Sequence, residues 1–378
     1  MKQYEYIVIG GGAMGTAAAY HLARDGRQAL LLEQFELGHQ RGSTHGESRI
    51  IRLSYELPEY VRLMRRAYTL WAALEQDAGE RLLTKTGGLD MGAPESAMLR
   101  GCIESLTLEG VEHEILDAGE IRRRFPQFRP DDGWMGLYQE DAGILPPTHC
   151  LLTLARMARH YGATIVDRTP VRNIGVRDGE IEVITDEETL RCRRLIVTAG
   201  PWAGALLRQI GLALPLTVEM QQVVFFAPAD PAPFSVGRFP VFINYADPSV
   251  YGFPIYGGEG VKVAEHHGGP IINLDEYDQQ VRQEGVERVR EWLRRHLPGA
   301  LGPLLRAHTC LYTNTPDQHF IVDRHPAHPA IAIGAGFSGH GFKFAILIGR
   351  MLADLAQDRA LPPEAALFSL ARLNQPDP

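Results

Sequence analysis

The stretch YIVIGGGAMG, residues 6–15, joins a short β-branched apolar run to a glycine-rich turn of the form GxGxxG. An alanine-rich segment over 17–23 predicts a helix, and residues 29–32 predict a second buried strand that ends at Glu33. A lone glycine pattern would be weak evidence, but strand, turn, helix, strand and acid follow one another here in the order of a dinucleotide-binding unit. The chain is therefore expected to begin with a Rossmann-like fold.

Each glycine of the turn has its own physical role. Gly10 permits the tight turn, Gly12 lets the backbone approach a pyrophosphate, and Gly15 allows the helix to pack closely on the strand. The N-terminus of the helix offers amide groups and partial positive charge to phosphate. Glu33 can accept hydrogen bonds from ribose hydroxyls, which serves FAD and NAD equally, so the turn alone leaves the choice of cofactor open.

Length, charge and cysteine usage limit the class of protein. A chain of 378 residues is long enough for about two domains, and its net charge of −8 disfavours nucleic acid or an anionic membrane as a partner. No apolar run approaches the ~20 residues needed to cross a bilayer. Cys102, Cys150, Cys192 and Cys310 form neither a zinc motif nor a disulfide framework. We expect a cytoplasmic protein without a resident metal.

The first unit is interrupted by a second one. Residues 216–267 change to a succession of strand patterns, which suggests a largely antiparallel sheet, and residues 330–355 return to strand, turn and helix. The prediction is an α/β protein whose Rossmann-like cofactor-binding domain is interrupted by an α+β substrate domain. The cofactor domain would comprise residues 1–85, 146–215 and 305–378, and the substrate domain residues 86–145 and 216–304.

Three further motifs resemble those of a known family. They read GSTHGESRIIR at 42–52, CLYTNTPDQHFIVD at 310–323 and GFSGHGFK at 336–343, in that order behind the glycine turn. They resemble the flavin-binding segments of the monomeric sarcosine oxidase and N-methyltryptophan oxidase family, within the D-amino acid oxidase superfamily. The resemblance covers roughly residues 4–370. It implies a monomeric FAD-dependent oxidase that uses O2 to oxidise the secondary amine of a small N-alkyl amino acid.

The same resemblance assigns roles to individual residues. FAD would be attached through a thioether to Cys310, and Tyr312 would face the same way if this segment is a strand. Arg52 and Lys343 would bind the substrate carboxylate, and Lys262 would promote the reaction with oxygen. The remaining positions assigned around the flavin and the substrate are His45, Arg49, Tyr251, His266, Gly336, Gly339, His340 and Gly341. The alternatives to these roles are a buried structural thiol at Cys310, a surface ion pair at Arg52 and an outward-facing strand lysine at Lys262, and for Lys262 the alternative would be preferred without the resemblance.

Two departures from the family pattern leave the substrate open. Residues 53–59 look one residue shorter than the mobile lid of the family and contain Pro58. Phe242 stands where sarcosine oxidase has a smaller Met and is expected to contact the substrate, where its ring would either shrink the pocket or stack on a flat substrate. Sarcosine itself would yield glycine, formaldehyde and hydrogen peroxide. Alternatives are an N-methyltryptophan, pipecolate or fructosyl-amino-acid oxidase. A quinone-linked dehydrogenase would need an apolar membrane-facing patch, and a non-enzymatic nucleotide-binding module would be colourless.

Overall fold

The computed structural model describes residues 2–177, 179–258 and 260–374; residues 375–378 of the last predicted domain segment lie outside this range. The strands are β1 (Lys2–Ile9), β2 (Ala29–Leu32), β3 (Arg49–Ile51), β4 (Thr84–Lys85), β5 (Gly88–Gly92), β6 (Glu114–Asp117), β7 (Met135–Gln139), β8 (Gly143–Leu145), β9 (Thr164–Val166), β10 (Val171–Arg177), β11 (Glu180–Thr185), β12 (Thr189–Val197), β13 (Thr217–Phe226), β14 (Val241–Asn244), β15 (Val250–Gly252), β16 (Val261–Glu265), β17 (Leu304–Asn314), β18 (Ile321–Arg324) and β19 (Ile331–Ala335). The helices are α1 (Ala13–Arg24), α2 (Pro58–Ala78), α3 (Ala97–Leu108), α4 (Ala118–Arg124), α5 (Pro147–His160), α6 (Ala203–Arg208), α7 (Gln283–His296) and α8 (Ala345–Ala356).

The first sheet has a parallel core of the predicted Rossmann type. β1 pairs in parallel with β2 and with β12, and β12 pairs in parallel with β19. β1 becomes fully buried towards its end, as expected for a strand covered on both faces. α1 follows the glycine turn and packs against α8 so closely that a Cβ on Gly349 would lie 2.4 Å from the Cβ of Ala17. The turn is therefore fixed between the sheet and two helices.

The second sheet has eight strands in the order β17-β13-β16-β15-β14-β5-β7-β6. Every neighbouring pair is antiparallel except β14 with β5, so the prediction of a mainly antiparallel sheet is confirmed. One face of this sheet and α7 enclose an aromatic core, in which Phe242 stacks on Trp292 with ring centroids 5.6 Å apart. The other face contributes to the cavity of the candidate active site.

Two boundaries differ from the sequence-based expectation. The strand that carries Cys310 runs from Leu304 to Asn314 and pairs with β13 of the second sheet, whereas the predicted boundary at residue 305 assigned it to the cofactor domain. An apolar strand pattern does not tell which sheet the strand will join, because pairing is a long-range property. The amphipathic pattern over residues 279–297 predicts a single helix, but the helix begins only at Gln283. The division into domains itself stays a prediction.

Two kinds of feature are absent from the part of the chain that the structure describes. None of its helices combines the length and the apolar character that a membrane span requires. No group of three or more His, Cys, Asp or Glu side chains within these residues is arranged to hold a metal ion.

Candidate active site

A cavity of about 740 Å³ extends from the glycine turn after β1 to the loop before α8. It brings together residues from distant parts of the sequence that were predicted to share a site. The predicted residues that line it are Gly10, Gly12, Glu33, Arg49, Arg52, Tyr251, His266, Cys310, Tyr312, Gly336, Gly339, His340, Gly341 and Lys343. Gly15, His45, Phe242 and Lys262 are not part of the lining.

The turn after β1 leaves space on its cavity side and none behind it. Gly10 has φ +100°, and a Cβ there would lie 2.4 Å from the carbonyl oxygen of Thr198. A Cβ on Gly15 would lie 2.0 Å from the carbonyl oxygen of Gly10, so Gly15 serves packing rather than ligand contact. A Cβ on Gly12 would meet its nearest neighbour only at 3.6 Å. Gly12 is therefore the position at which a ligand can approach the backbone.

Glu33 holds the turn and faces the cavity at the same time. Its Oε2 accepts a hydrogen bond from the backbone N–H of Gly11 at 2.7 Å, and its Oε1 accepts one from the N–H of Phe35 at 2.9 Å. Each carboxylate oxygen has a second lone pair. Oε1 also lies 3.4 Å from Nε2 of His39, so the second lone pair of Oε2 is the one available to a ribose hydroxyl.

Cys310 is the cysteine that lines the cavity, whereas Cys102, Cys150 and Cys192 are buried elsewhere. It lies on β17 with Tyr312, and both side chains face the cavity, as the two-residue spacing predicts. Burial raises the pKa of the Cys310 thiol, while the positive charges of Arg49 and Lys262 act in the opposite direction. The two nearby basic side chains therefore partly oppose the effect of burial on this thiol.

Lys343 is held by a chain of hydrogen bonds whose direction can be worked out. A backbone carbonyl only accepts, so Nε2 of His340 donates to the carbonyl of Gln318 at 3.1 Å. Burial lowers the pKa of His340 to about 3, so its Nδ1 is an acceptor and takes the hydroxyl proton of Tyr55 at 3.2 Å. Nζ of Lys343 donates to the Tyr55 oxygen and to the carbonyl of His340, each at 3.0 Å. One of its three N–H groups is left for a ligand.

The guanidinium of Arg52 hydrogen-bonds to other protein side chains through its Nη1 atom. Its Nη1 carries two N–H groups, which are shared among three acceptors: Asp90 at 2.8 Å, the hydroxyl of Tyr245 at 2.7 Å and the hydroxyl of Ser54 at 3.0 Å. Nε is buried without a partner among the described residues, and none of these bonds involves Nη2. Arg52 lines the cavity together with Lys343. Burial, followed by the charge of Arg52, lowers the pKa of Lys343. Two basic side chains with unused donors thus face the same space, which suits a carboxylate.

Lys262 lies behind the cavity wall rather than in it. Its Nζ donates to the carbonyl and to the hydroxyl of Ser48, at 2.6 and 3.1 Å, and lies 4.4 Å from the centre of the Phe253 ring, which lines the cavity. Burial, followed by the charge of Arg49, lowers the pKa of Lys262 well below its usual value. His45 is also buried outside the lining; its Nε2 has no partner within the described part of the chain, and burial lowers its pKa to about 3.

Comparison with known proteins finds similarity to FAD-dependent enzymes over nearly the whole chain. The family model described as FAD dependent oxidoreductase matches residues 5–355. The monomeric sarcosine oxidase of Streptomyces avermitilis is 39% identical over 98% of both chains, and the N-methyl-L-tryptophan oxidase of Salmonella agona is 33% identical over 99% of this chain and 100% of its own. The chain belongs to the FAD dependent oxidoreductase family. Among solved structures, NikD, described as an unusual amino acid oxidase, has a TM-score of 0.87 at 26% identity, with 98% of each chain covered.

For this FAD dependent oxidoreductase, one predicted substrate contact is wrong. Phe242 was expected in the pocket, but its ring is buried in the aromatic core on the far side of the second sheet. Its neighbour Ile243 lines the cavity instead and is paired across β14 and β15 with Tyr251, which also lines it. Successive residues of a strand face opposite sides of a sheet, so an error of one position reverses the assignment.

Sequence reasoning missed two buried acids near the cavity. Asp90 lies on β5 and pairs with Arg52. Glu219 lies on β13 and accepts hydrogen bonds from His267, which lines the cavity, and from Gln221, Gly269 and Asn314. An acid in the middle of an apolar strand pattern is the signal that could have drawn notice to both, because such a residue is rarely buried unless it is paired.

Proposed function

We propose that this FAD dependent oxidoreductase oxidises the secondary amine of a small N-alkyl amino acid, such as sarcosine, and that its FAD is attached through Cys310. The observation that carries the proposal is the meeting of Cys310, Arg52 and Lys343 on the walls of one cavity. The similar chains named monomeric sarcosine oxidase and N-methyl-L-tryptophan oxidase support the choice of substrate class.

The residues of this chain fit FAD along the length of the cavity. At one end lie the glycine turn and Glu33, which suit the pyrophosphate and the adenosine ribose. At the other end Gly336 and Gly339 have positive φ, and a Cβ on Gly339 would lie 2.4 Å from the Tyr312 ring. Bound FAD would accept an electron pair from the amine and pass it to oxygen. A thioether at Cys310 would hold it beside Arg49 and Tyr312.

Arg52 and Lys343 would bind the substrate carboxylate and so orient the amine. Arg52 has Nη2 free of the bonds to the protein, and Lys343 has one N–H left. Bonds of this kind, between ionised groups, are roughly twice as strong as those between neutral groups. They would fix the N-alkyl carbon in the cavity and exclude amines that carry no carboxylate.

We do not assign an obligatory base to His266 or Tyr251. The substrate amine would lose its proton by itself and be oxidised in its neutral form. Burial lowers the pKa of His266 well below its usual value and raises that of Tyr251 to about 12. Both groups are therefore uncharged at neutral pH. Nδ1 of His266 lies 3.3 Å from the hydroxyl of Tyr312, so these side chains form a fixed polar wall.

Lys262 would act in the reaction with oxygen. The two oxygens of Ser48 and the ring of Phe253 favour its ammonium form, in opposition to burial. A positive charge fixed behind the wall would stabilise the negative charge that oxygen acquires. Hydrogen peroxide would be the reduced product, and water would convert the oxidised amine to the amino acid and an aldehyde, which is formaldehyde for sarcosine.

We also infer that the chain acts as a monomer in the cytoplasm, on the name of its monomeric relative and on its four free cysteines. Oxygen uptake with sarcosine, N-methyl-alanine, pipecolate and N-methyltryptophan tests the function. Uptake with at least one, accompanied by peroxide, is expected. No uptake with any of them by flavin-containing protein would overturn the proposal. Size-exclusion chromatography tests the monomer.

A further inference from the structure

The guanidinium of Arg52 is held on the side away from the cavity by a buried acid. Oδ2 of Asp90 accepts a hydrogen bond from Nη1 of Arg52 at 2.8 Å, and the two side chains are 6% and 12% exposed, respectively. Asp90 is not part of the cavity lining, whereas Arg52 is. The carboxylate therefore contacts the arginine and is not placed to contact a ligand of the cavity.

The position of this acid is fixed by the second sheet. Asp90 is the middle residue of β5, which pairs with β14 on one side and β7 on the other, opposite Ile243 and Leu137. A residue in the interior of a sheet cannot follow a moving side chain as a loop residue can. The hydroxyls of Tyr245 and Ser54 share with Asp90 the two N–H groups of the same nitrogen. Three acceptors thus converge on Nη1 alone.

We propose that Asp90 is a positioning residue, which fixes the Nη1 end of Arg52 so that Nη2 is presented to the substrate carboxylate. The proposal rests on the function proposed above and adds to it the group that orients the arginine. An arginine without such an anchor would lose the rotamer freedom of a long side chain each time a ligand binds. Because Asp90 already restricts the Arg52 side chain in the free enzyme, ligand binding would not incur this loss of conformational entropy.

The acid also sets the charge of the binding site. Arg52 and Lys343 bring two positive charges to the cavity, and Asp90 neutralises one of them, which leaves a single positive charge for a single carboxylate. Burial and the charge of Arg52 lower the pKa of Lys343, and the charge of Asp90 raises it. Asp90 therefore also favours the protonated form of Lys343.

The test is the flavin-loaded variant Asp90→Asn, which keeps the shape of the side chain and removes its charge. We expect KM for the amino acid substrate and Kd for acetate, followed by the flavin absorbance change, each to rise about tenfold, with kcat within about twofold of wild type. Tyr245→Phe, which removes one neutral acceptor from Nη1 and leaves no buried charge unpaired, should raise KM less. It provides a readout if Asp90→Asn folds poorly.

Asp25→Asn is the matched control, because Asp25 accepts two hydrogen bonds from Arg350, and neither residue is part of the cavity lining. It should lower thermal stability and leave KM and Kd unchanged. Unchanged KM and Kd in both Asp90→Asn and Tyr245→Phe would overturn the proposal. A variant Asp90→Asn that loses both kcat and thermal stability but binds acetate as wild type does would also overturn it. If wild type neither oxidises an N-alkyl amino acid nor binds acetate, the proposed function fails instead.

Discussion

Replacing Glu219 should destabilise the protein by an amount that its hydrogen bonds allow to be worked out. Oε1 accepts from Nε2 of Gln221 at 2.6 Å and from the N–H of Gly269 at 3.0 Å, and Oε2 accepts from Nδ1 of His267 at 3.0 Å and from Nδ2 of Asn314 at 2.8 Å. In Glu219→Ala all of these donors lose their acceptor. Gln221 and Asn314 can turn towards other groups.

Gly269 and His267 cannot find another partner so easily. The first donor is a backbone N–H, and the other ring nitrogen of His267, Nε2, is also buried and has no partner among the residues that the structure describes. A buried donor without an acceptor costs about 1–3 kcal/mol, and both of these donors are only partly buried, so each should cost an amount near the lower end of that range. Glu219→Ala should therefore lower the free energy of unfolding by about 2–3 kcal/mol. Glu219→Gln should lose about half of that, because its amide can donate to the Asn314 Oδ1, which is unpartnered, while its oxygen keeps the other two bonds.

Urea unfolding at several pH values is the assay. The pKa of Glu219 is lowered in the folded protein: burial acts to raise it, and the hydrogen bonds from His267 and Asn314 outweigh burial. A depressed folded-state pKa contributes stability above the pKa of the unfolded chain and loses it as the pH falls through the folded-state value. The difference between wild type and Glu219→Ala should therefore be full at neutral pH and shrink in acid. Equal unfolding midpoints at neutral pH, or a difference independent of pH, would show that Glu219 does not stabilise the fold in this way.

Three further substitutions test other parts of the site. Cys310→Ala should fold but release its FAD on acid precipitation, whereas wild type stays yellow; equal retention of flavin by both would exclude a thioether at this position. Lys262→Met should slow reoxidation of the reduced enzyme by roughly 10²–10³-fold in stopped flow and leave acetate binding unchanged. Tyr55→Phe, which removes the hydroxyl between Lys343 and His340, should raise KM about threefold to tenfold at a constant kcat, and an unchanged KM would contradict the direction assigned to the hydrogen bonds of this hydroxyl.

The fold could be predicted from sequence because its decisive signals are local. The turn at 10–15 needs glycine for steric reasons that act within a few residues, and the strand and helix beside it have distinct hydrophobic periods. The pairing of β17 with β13 could not be predicted, since it joins residues about ninety positions apart, such as Gln221 and Cys310. Period and propensity carry no information on such a choice of partner.

In the candidate active site, too, the features set by local sequence could be predicted, and those that depend on distant residues could not. Cys310 and Tyr312 were expected on one face because the strand period fixes residues two apart, and both line the cavity. Phe242 was misassigned because the period does not say which face of a strand meets the cavity. Asp90 could not be assigned, because its role depends on Arg52, which lies 38 residues away just after the end of β3, and the sequence shows no link between them.

Anaerobic mixing of the purified yellow protein with sarcosine, N-methyl-alanine, pipecolate or N-methyltryptophan is the decisive experiment for an amine oxidase. We expect the flavin absorbance to bleach with at least one of these amines and to return when air is admitted, with one hydrogen peroxide formed for each amine consumed. Arg52→Met should need far more substrate for the same bleaching. An absorbance that none of these amines changes, in protein that carries its full complement of flavin, would contradict the proposed oxidation of N-alkyl amino acids.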